Sequence, residues 1–170
     1  FFYKEEPTRV YHYDNLASHV LGYVNNENQG VMGVSEYFDE ELNGEDGSRL
    51  IQKNALGGMV TIEDEDINSA VSGDNFYLTI DKGYQFILED ELKKGVEEYG
   101  AVSGTGIIMN PNTGEVIALA NIDDFNPNEY WKFNDFQRRN RAITDTYEPG
   151  STFKSFTIAS LIDQKLCTLN

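Results

Sequence analysis

The sequence predicts an α+β fold in two parts: a small turn-rich module over residues 1–75, then the opening strands and helices of a second domain over residues 76–170. Three observations predict it. Glycine and asparagine turns cut the first half into apolar pieces too short for a large core. From residue 76 the texture changes to a helical stripe followed by a β-hairpin. A further apolar helical pattern then opens at Ser151, after a Pro-Gly turn. With 39% hydrophobic residues in 170, the chain has the composition of a globular protein.

In chain order, residues 9–13 read as a short strand, and Asp14 as the cap of a brief helix through Leu16, Val20 and Leu21 that stops at Gly22. Turns follow at residues 25–30, 43–47 and 57–58, with another short strand at 59–62. Residues 76–80 form a compact strand. Asp81 then caps a helix carrying Tyr84, Leu88, Leu92, Val96 and Tyr99 at helical spacing, and Gly100 ends it. Residues 105–110 and 115–121 pair as a hairpin across Pro111-Asn112-Thr113-Gly114, where proline presets the turn and glycine accepts positive φ. The hairpin is apolar on both faces, at Ile107, Ile108, Met109, Val116, Ile117 and Leu119, which places it inside a larger sheet covered on both sides, with only part of that cover supplied by these 170 residues.

Charge and composition exclude several function classes. With 29 acidic against 13 basic residues the net charge is −16, which repels nucleic acid and anionic membrane surfaces. A single cysteine, Cys167, forms no internal disulfide, and two histidines leave little for a metal site, so neither metal nor cofactor is expected. Apolar runs fall short of the roughly 20 residues that cross a bilayer, and no basic-then-apolar leader opens the chain. A start at Phe1-Phe2 and an end within an apolar segment at Asn170 give the expectation of a fragment of a longer protein.

The stretch Tyr147-Glu148-Pro149-Gly150-Ser151-Thr152-Phe153-Lys154 carries the chemistry. From Ser151 onward, Phe156, Ala159, Ile162 and Leu166 recur at intervals of three and four, so a helix starts near the serine and buries one face. An ordinary N-cap serine followed by a surface lysine is the plain alternative. Lys154 argues against it: the first turn of a helix carries unpaired N–H groups and positive dipole, which disfavour a cation, and a capping box places Glu or Gln there. A rule broken locally marks a candidate functional position. Burial beside a helix start favours the neutral amine, which is able to take a proton from a hydroxyl one turn away. Three-residue spacing puts both side chains on one face, and N–H groups there are suited to hold an oxyanion. Nine serines and eight lysines give ~0.4 chance matches to Ser-x-x-Lys, so the pair alone is a weak signal.

Context strengthens it. Residues 140–154, NRAITDTYEPGSTFK, resemble the segment leading into the active-site serine of the class B penicillin-binding proteins, the cell-wall D,D-transpeptidases. Leu78-Thr79-Ile80-Asp81 with Gln85 resembles the first strand and helix of their transpeptidase domain, and residues 110–120, NPNTGEVIALA, its first hairpin. Residues 9–11 and 16–24, with Gly30, Gly33, Leu42, Gly44 and Gly47, resemble their N-terminal pedestal. The pattern departs at His12, where a proline is usual, and at Ser35, where an acid is usual.

The resemblance implies a pedestal module (1–75) followed by the incomplete start of a serine transpeptidase/β-lactamase-like domain (76–170). It implies Ser151 as nucleophile, Lys154 as acylation base, stem peptides ending in D-Ala-D-Ala as substrates and β-lactams as trapping ligands. It further implies cell-wall glycosyltransferase partners and an extracytoplasmic location on the bacterial membrane, held by an anchor outside this chain. The family's Ser-x-Asn and Lys-Thr/Ser-Gly motifs do not occur in the 16 residues after Lys154, so the fragment alone is expected to be inactive. A β-lactamase or β-lactam sensor of the same fold, and a non-catalytic scaffold module, stand as alternatives.

Other features have plainer readings. Asp64, Asp66 and Asn68 begin a calcium-loop pattern that Ser69 and Asn75 break. His12 and His19 read as packing residues, and Glu148 before Pro149 as a loop-shaping one. Arg138, Arg139 and Arg141 suit either anionic ligands or ion pairs with local acids. Phe125, Tyr130, Trp131, Phe133 and Phe136 suit either a groove or aromatic packing, the more ordinary outcome.

Overall fold

A computed structural model describes residues 8–49, 51–53, 59–61 and 67–168. Its elements are the short helices α1 (Ser18–Leu21), α2 (Gly33–Tyr37) and α3 (Asp39–Asn43), the short strands β1 (Ser48–Arg49), β2 (Ile51–Lys53), β3 (Met59–Thr61) and β4 (Ile67–Asn68), the long helix α4 (Lys82–Tyr99), the hairpin β5 (Gly104–Met109) and β6 (Val116–Ile122), then α5 (Asp135–Arg138), α6 (Arg141–Thr144) and α7 (Lys154–Asp163). β1 pairs with β4, β2 with β3 and β5 with β6, all antiparallel. The α+β expectation holds.

The first module folds on backbone contact between its small helices. Gly22 ends α1 at φ 72°, and a Cβ there would lie 1.6 Å from the Met32 carbonyl oxygen just before α2, so only glycine lets the two segments meet. Two expectations fail here. Residues 9–13 form no strand, and Asp14, at φ 50°, caps no helix; α1 begins only at Ser18. Asp14 instead accepts a hydrogen bond from the Asn126 amide at 3.3 Å. Ser35, the departure from the family pattern, is buried and donates its hydroxyl to the Leu21 carbonyl at 2.8 Å.

Asp81 caps α4 as its sequence foretells, accepting from the N–H groups of Gly83 (2.8 Å) and Tyr84 (3.0 Å), and Gly100 closes the helix at φ 58°. Leu88, Leu92 and Val96 face the hairpin, where Gly106 lets Leu88 approach to a distance that a Cβ would block. Tyr84 and Tyr99, expected on that stripe, are exposed. The buried place belongs to Gln85, fully enclosed, whose amide donates to the Leu119 carbonyl at 2.8 Å and accepts from the Leu119 N–H at 2.9 Å. Residues 76–80 are not a strand: they run beside β6 with the Thr79 hydroxyl on the Val116 carbonyl (2.6 Å) and the Asp81 N–H on that of Ile117 (2.9 Å), too few bonds for a ladder.

The hairpin forms as expected, with Gly114 at φ 79° in its turn. Residues 118–122 of β6 are buried on both faces, whereas β5 alternates between half-buried and exposed. α4 covers the face of Gly106, Ile108, Ala118 and Ala120, while α1 and α6 reach the opposite face over β6, leaving Ile107 50% exposed. Cover on both sides is therefore present over most of β6 and incomplete over β5 among the described residues.

Glu89, one turn beyond Gln85, ties the first module to α4. Its carboxylate accepts from the Ala17 N–H (2.8 Å) and the Gln85 amide (2.7 Å), and burial pushes it above the ordinary value of 4.5. The charged form is thus the disfavoured one in the folded protein. Stability from this group is complete below the ordinary carboxyl range and is lost as pH rises through the elevated value. His19, 4% exposed, donates from Nε2 to the Gln137 carbonyl at 2.7 Å, packs edge-on against Phe125, and is driven toward the neutral ring by burial.

Gly22→Ala is expected to cost more than ~2 kcal/mol in urea unfolding. Gly95→Ala, in the α4 interior with no atom within 4 Å of an added Cβ, should instead stabilise by about 0.5–1 kcal/mol. Equal effects at both positions contradict the packing described. Glu89→Gln should leave stability nearly unchanged at low pH and raise it relative to the parent at neutral pH. A difference independent of pH contradicts the assignment.

Candidate active site

Ser151 and Lys154 lie across the junction of two helical forms. A 3₁₀ turn spans Gly150–Phe153, and α7 follows directly at Lys154. Gly150 enters the turn at φ 53°, the Thr152 N–H donates to the Pro149 carbonyl at 3.1 Å, and the Lys154 N–H reaches the carbonyl of Ser151. In a 3₁₀ turn residues three apart eclipse one another. The three-residue spacing sets Ser151 and Lys154 on one side of the backbone, and no hydrogen bond joins their side chains among the described residues. Ser151 is inside the turn, and no side-chain cap bond is made at the start of either helix, so the N-cap reading is not realised. Its N–H occupies the second position of the turn, where no intrahelical acceptor exists.

The expected shelter is not supplied by the described residues. Positions 143–160 are exposed throughout, and Phe156, expected to be buried with Ala159, is 69% exposed. Phe153 and Phe156 contact each other at 5.6 Å, without burying the face of α7.

What fixes this segment lies upstream of it. Asn134 and Gln137 form a reciprocal capping box at α5. Asn121, in the middle of an otherwise apolar strand, is 1% exposed; its side-chain oxygen accepts from the Ala142 N–H (2.9 Å) and the Thr105 hydroxyl (3.1 Å), and its nitrogen donates to Asn140 (3.0 Å). Asn140 in turn reaches the His19 carbonyl at 3.4 Å. Hydrophobic periodicity passed over Asn121 and Gln85; a polar residue in a buried apolar strand was the available signal.

Among the remaining candidates, Arg138 pairs with Asp135, and Arg139 with Asp145 at 2.5 Å, as the ion-pair reading expected. Arg141 departs from it: buried, it donates to the Ile122 carbonyl and lies 4.4 Å over the Phe136 ring. Phe125, Tyr130 and Phe133 pack as the ordinary reading expected, whereas Trp131 and Phe136 are exposed. Phe125 is 1% exposed, Tyr23 stacks on Tyr130 at 4.5 Å, and Phe125 meets Phe133. His12 and Glu148 are exposed. Asp64 and Asp66 lie outside the described residues, and Asn68 pairs with Ser48 in a strand. Among the described residues no group of three metal-ligating side chains occurs, and no helix is long and apolar enough to cross a membrane.

Comparison with known proteins gives the family of the chain. Residues 1–78 match the penicillin-binding protein dimerisation domain, and residues 104–170 the penicillin-binding protein transpeptidase domain. The chain is 36% identical to the probable peptidoglycan D,D-transpeptidase PenA of Neisseria meningitidis over 171 aligned residues, covering 100% of this chain and 29% of that protein. It is also 36% identical to the peptidoglycan D,D-transpeptidase FtsI of Escherichia coli, covering 95% of this chain and 27% of that one. The crystal structure of penicillin-binding protein 3 of Mycobacterium tuberculosis complexed with aztreonam superposes with a TM-score of 0.76 at 27% identity, over 94% of this chain and 32% of that one. The chain belongs to the class B penicillin-binding proteins. It spans less than a third of the length of these curated relatives.

Proposed function

We propose that the protein containing this chain is a peptidoglycan D,D-transpeptidase with Ser151 as nucleophile and Lys154 as its base. The observation that carries this reading is the placement of Ser151 within the 3₁₀ turn, where its N–H has no intrahelical acceptor, three residues before Lys154 at the first position of α7. Lys154, as the neutral amine, takes the Ser151 proton as Oγ attacks the penultimate carbonyl of a stem peptide ending in D-Ala-D-Ala. The Ser151 N–H donates to the developing oxyanion. Collapse of the tetrahedral intermediate breaks the peptide bond, and the leaving D-alanine amine takes the proton. An acceptor amine from a neighbouring stem then attacks the ester, releasing Ser151 and forming the cross-link. A β-lactam opens on the same oxygen and remains attached.

In this reading residues 1–75 are the pedestal and 76–170 the start of the catalytic domain, on the extracytoplasmic face of the bacterial membrane, with cell-wall glycosyltransferases as partners. The FtsI and PenA relatives and the aztreonam complex of the mycobacterial protein support it. The match of residues 1–78 to a dimerisation domain favours a transpeptidase over a β-lactamase. The 170-residue chain alone is not expected to acylate.

Labelling of the full-length protein by a fluorescent penicillin tests the assignment. Ser151→Ala should abolish it, and Lys154→Met should slow it by roughly 10²–10⁴-fold. Undiminished labelling of the folded Ser151→Ala variant overturns the nucleophile, and a parental rate in Lys154→Met overturns the base. Rapid release of the bound drug points instead to the β-lactamase alternative.

A further inference from the structure

The segment carrying Ser151 is held at its root rather than along its length. Upstream, Asn121 fixes the first turn of α6 by accepting the Ala142 N–H at 2.9 Å and binds Asn140 at 3.0 Å, while the Thr105 hydroxyl fills its second acceptor position at 3.1 Å. Arg141 clamps the same turn to the Ile122 carbonyl, and Arg139 holds Asp145 at 2.5 Å. From Thr146 to Phe153, no side chain makes a hydrogen bond or ion pair to another element among the described residues. The direction in which the serine turn leaves the hairpin is therefore set at Asn121 and its neighbours.

We propose that Asn121 is a positioning residue for Ser151: its buried amide locks the Asn140–Ala142 backbone to β6 and thereby aims the serine turn, nine residues further on, at the bound carbonyl. This rests on the reading of Ser151 as nucleophile. Near-attack geometry is sensitive to displacements of about 1 Å, which cost about 10²-fold in rate. Loss of the Asn121 bonds thus acts on the acylation step, while the noncovalent grip on the ligand stays as it was.

The test is time-resolved acylation of the full-length protein by a fluorescent penicillin, reading rate and final amplitude separately and resolving noncovalent affinity from the acylation constant. Asn121→Leu should label to parental amplitude at a rate constant about 10–100-fold lower, with the noncovalent dissociation constant changed by less than about 2-fold. Asn121→Asp keeps both acceptor bonds and loses the donor, so its rate should fall between the two. A purely structural lesion lowers amplitude, because fewer molecules are folded, and leaves the rate of the labelled fraction unchanged. Should Asn121→Leu fail to fold, Asn140→Ala at its half-buried partner decides the question, with a slowed rate expected. Parental rates in Asn140→Ala and in whichever Asn121 variants fold overturn the proposal. Ser151→Ala, with mass spectrometry of the labelled peptide, separates the two ideas: label found on another residue overturns the nucleophile, whereas label on Ser151 at an unaltered rate in the asparagine variants overturns only the positioning role.

Discussion

A side-chain amide completes the outer edge of β6. Gln85 presents one donor and one acceptor to the backbone of Leu119, as a neighbouring strand would, and does so from a helix. Without it, both Leu119 groups would be buried and unpaired, at about 1–3 kcal/mol each. The same edge is closed further along by Thr79 and by the Asp81 N–H. An otherwise open strand edge is thereby covered by the entry to α4, and pairing with a foreign strand is blocked there. From Gln85 the network runs through Glu89 to Ala17, so the position of α1 relative to the hairpin follows from one helix face.

The second half of the architecture hangs on the other side of β6. Asn121 performs for α6 the service that Gln85 performs for α4, and both amides satisfy backbone groups that hydrophobic side chains would strand. Between them the strand becomes a fixed bar, and α1 and the segment before α6 meet beside it through His19, Gln137 and Asn140. α7 continues beyond it with Phe156 and Ile158 exposed and Leu161 and Ile162 half-buried, and Ile107 on the hairpin is half exposed. Beyond Asp145 the chain runs into the 3₁₀ turn at Gly150–Phe153, and its fixed root is the start of α6 bound by Asn121.

Much of this was legible in the sequence wherever the cause is local. Asp81 and Gly100 bracket α4 because a cap and a terminator act within one turn. The Pro111–Gly114 turn sets the hairpin for the same reason, and the Ser-x-x-Lys pair stands out because a cation breaks the helix-start rule. Non-local causes were not legible. Residues 76–80 have strand composition, yet among the described residues the Thr79 hydroxyl and the adjoining Asp81 N–H are their links to β6. Periodicity assigned Tyr84 to the buried stripe, where the fold uses Gln85, since an apolar scale does not register an amide that pairs with backbone. Arg141 reads as surface charge until the Ile122 carbonyl and the Phe136 ring are found against it. Burial of α7 was inferred from its pattern, and the described residues do not provide the surface that such a pattern needs.

The proposed chemistry requires the Ser151 hydroxyl and the Lys154 amine to meet at a turn whose root is fixed to β6. The most direct measurement is a crystal structure of the full-length protein after reaction with benzylpenicillin. Continuous density from Ser151 Oγ into the opened drug, with Lys154 Nζ within about 3 Å of that oxygen and the Asn121 amide still on Ala142, is the predicted result. Drug attached to any other residue, or a Lys154 ammonium pointing into solvent away from Oγ in the acylated protein, contradicts it.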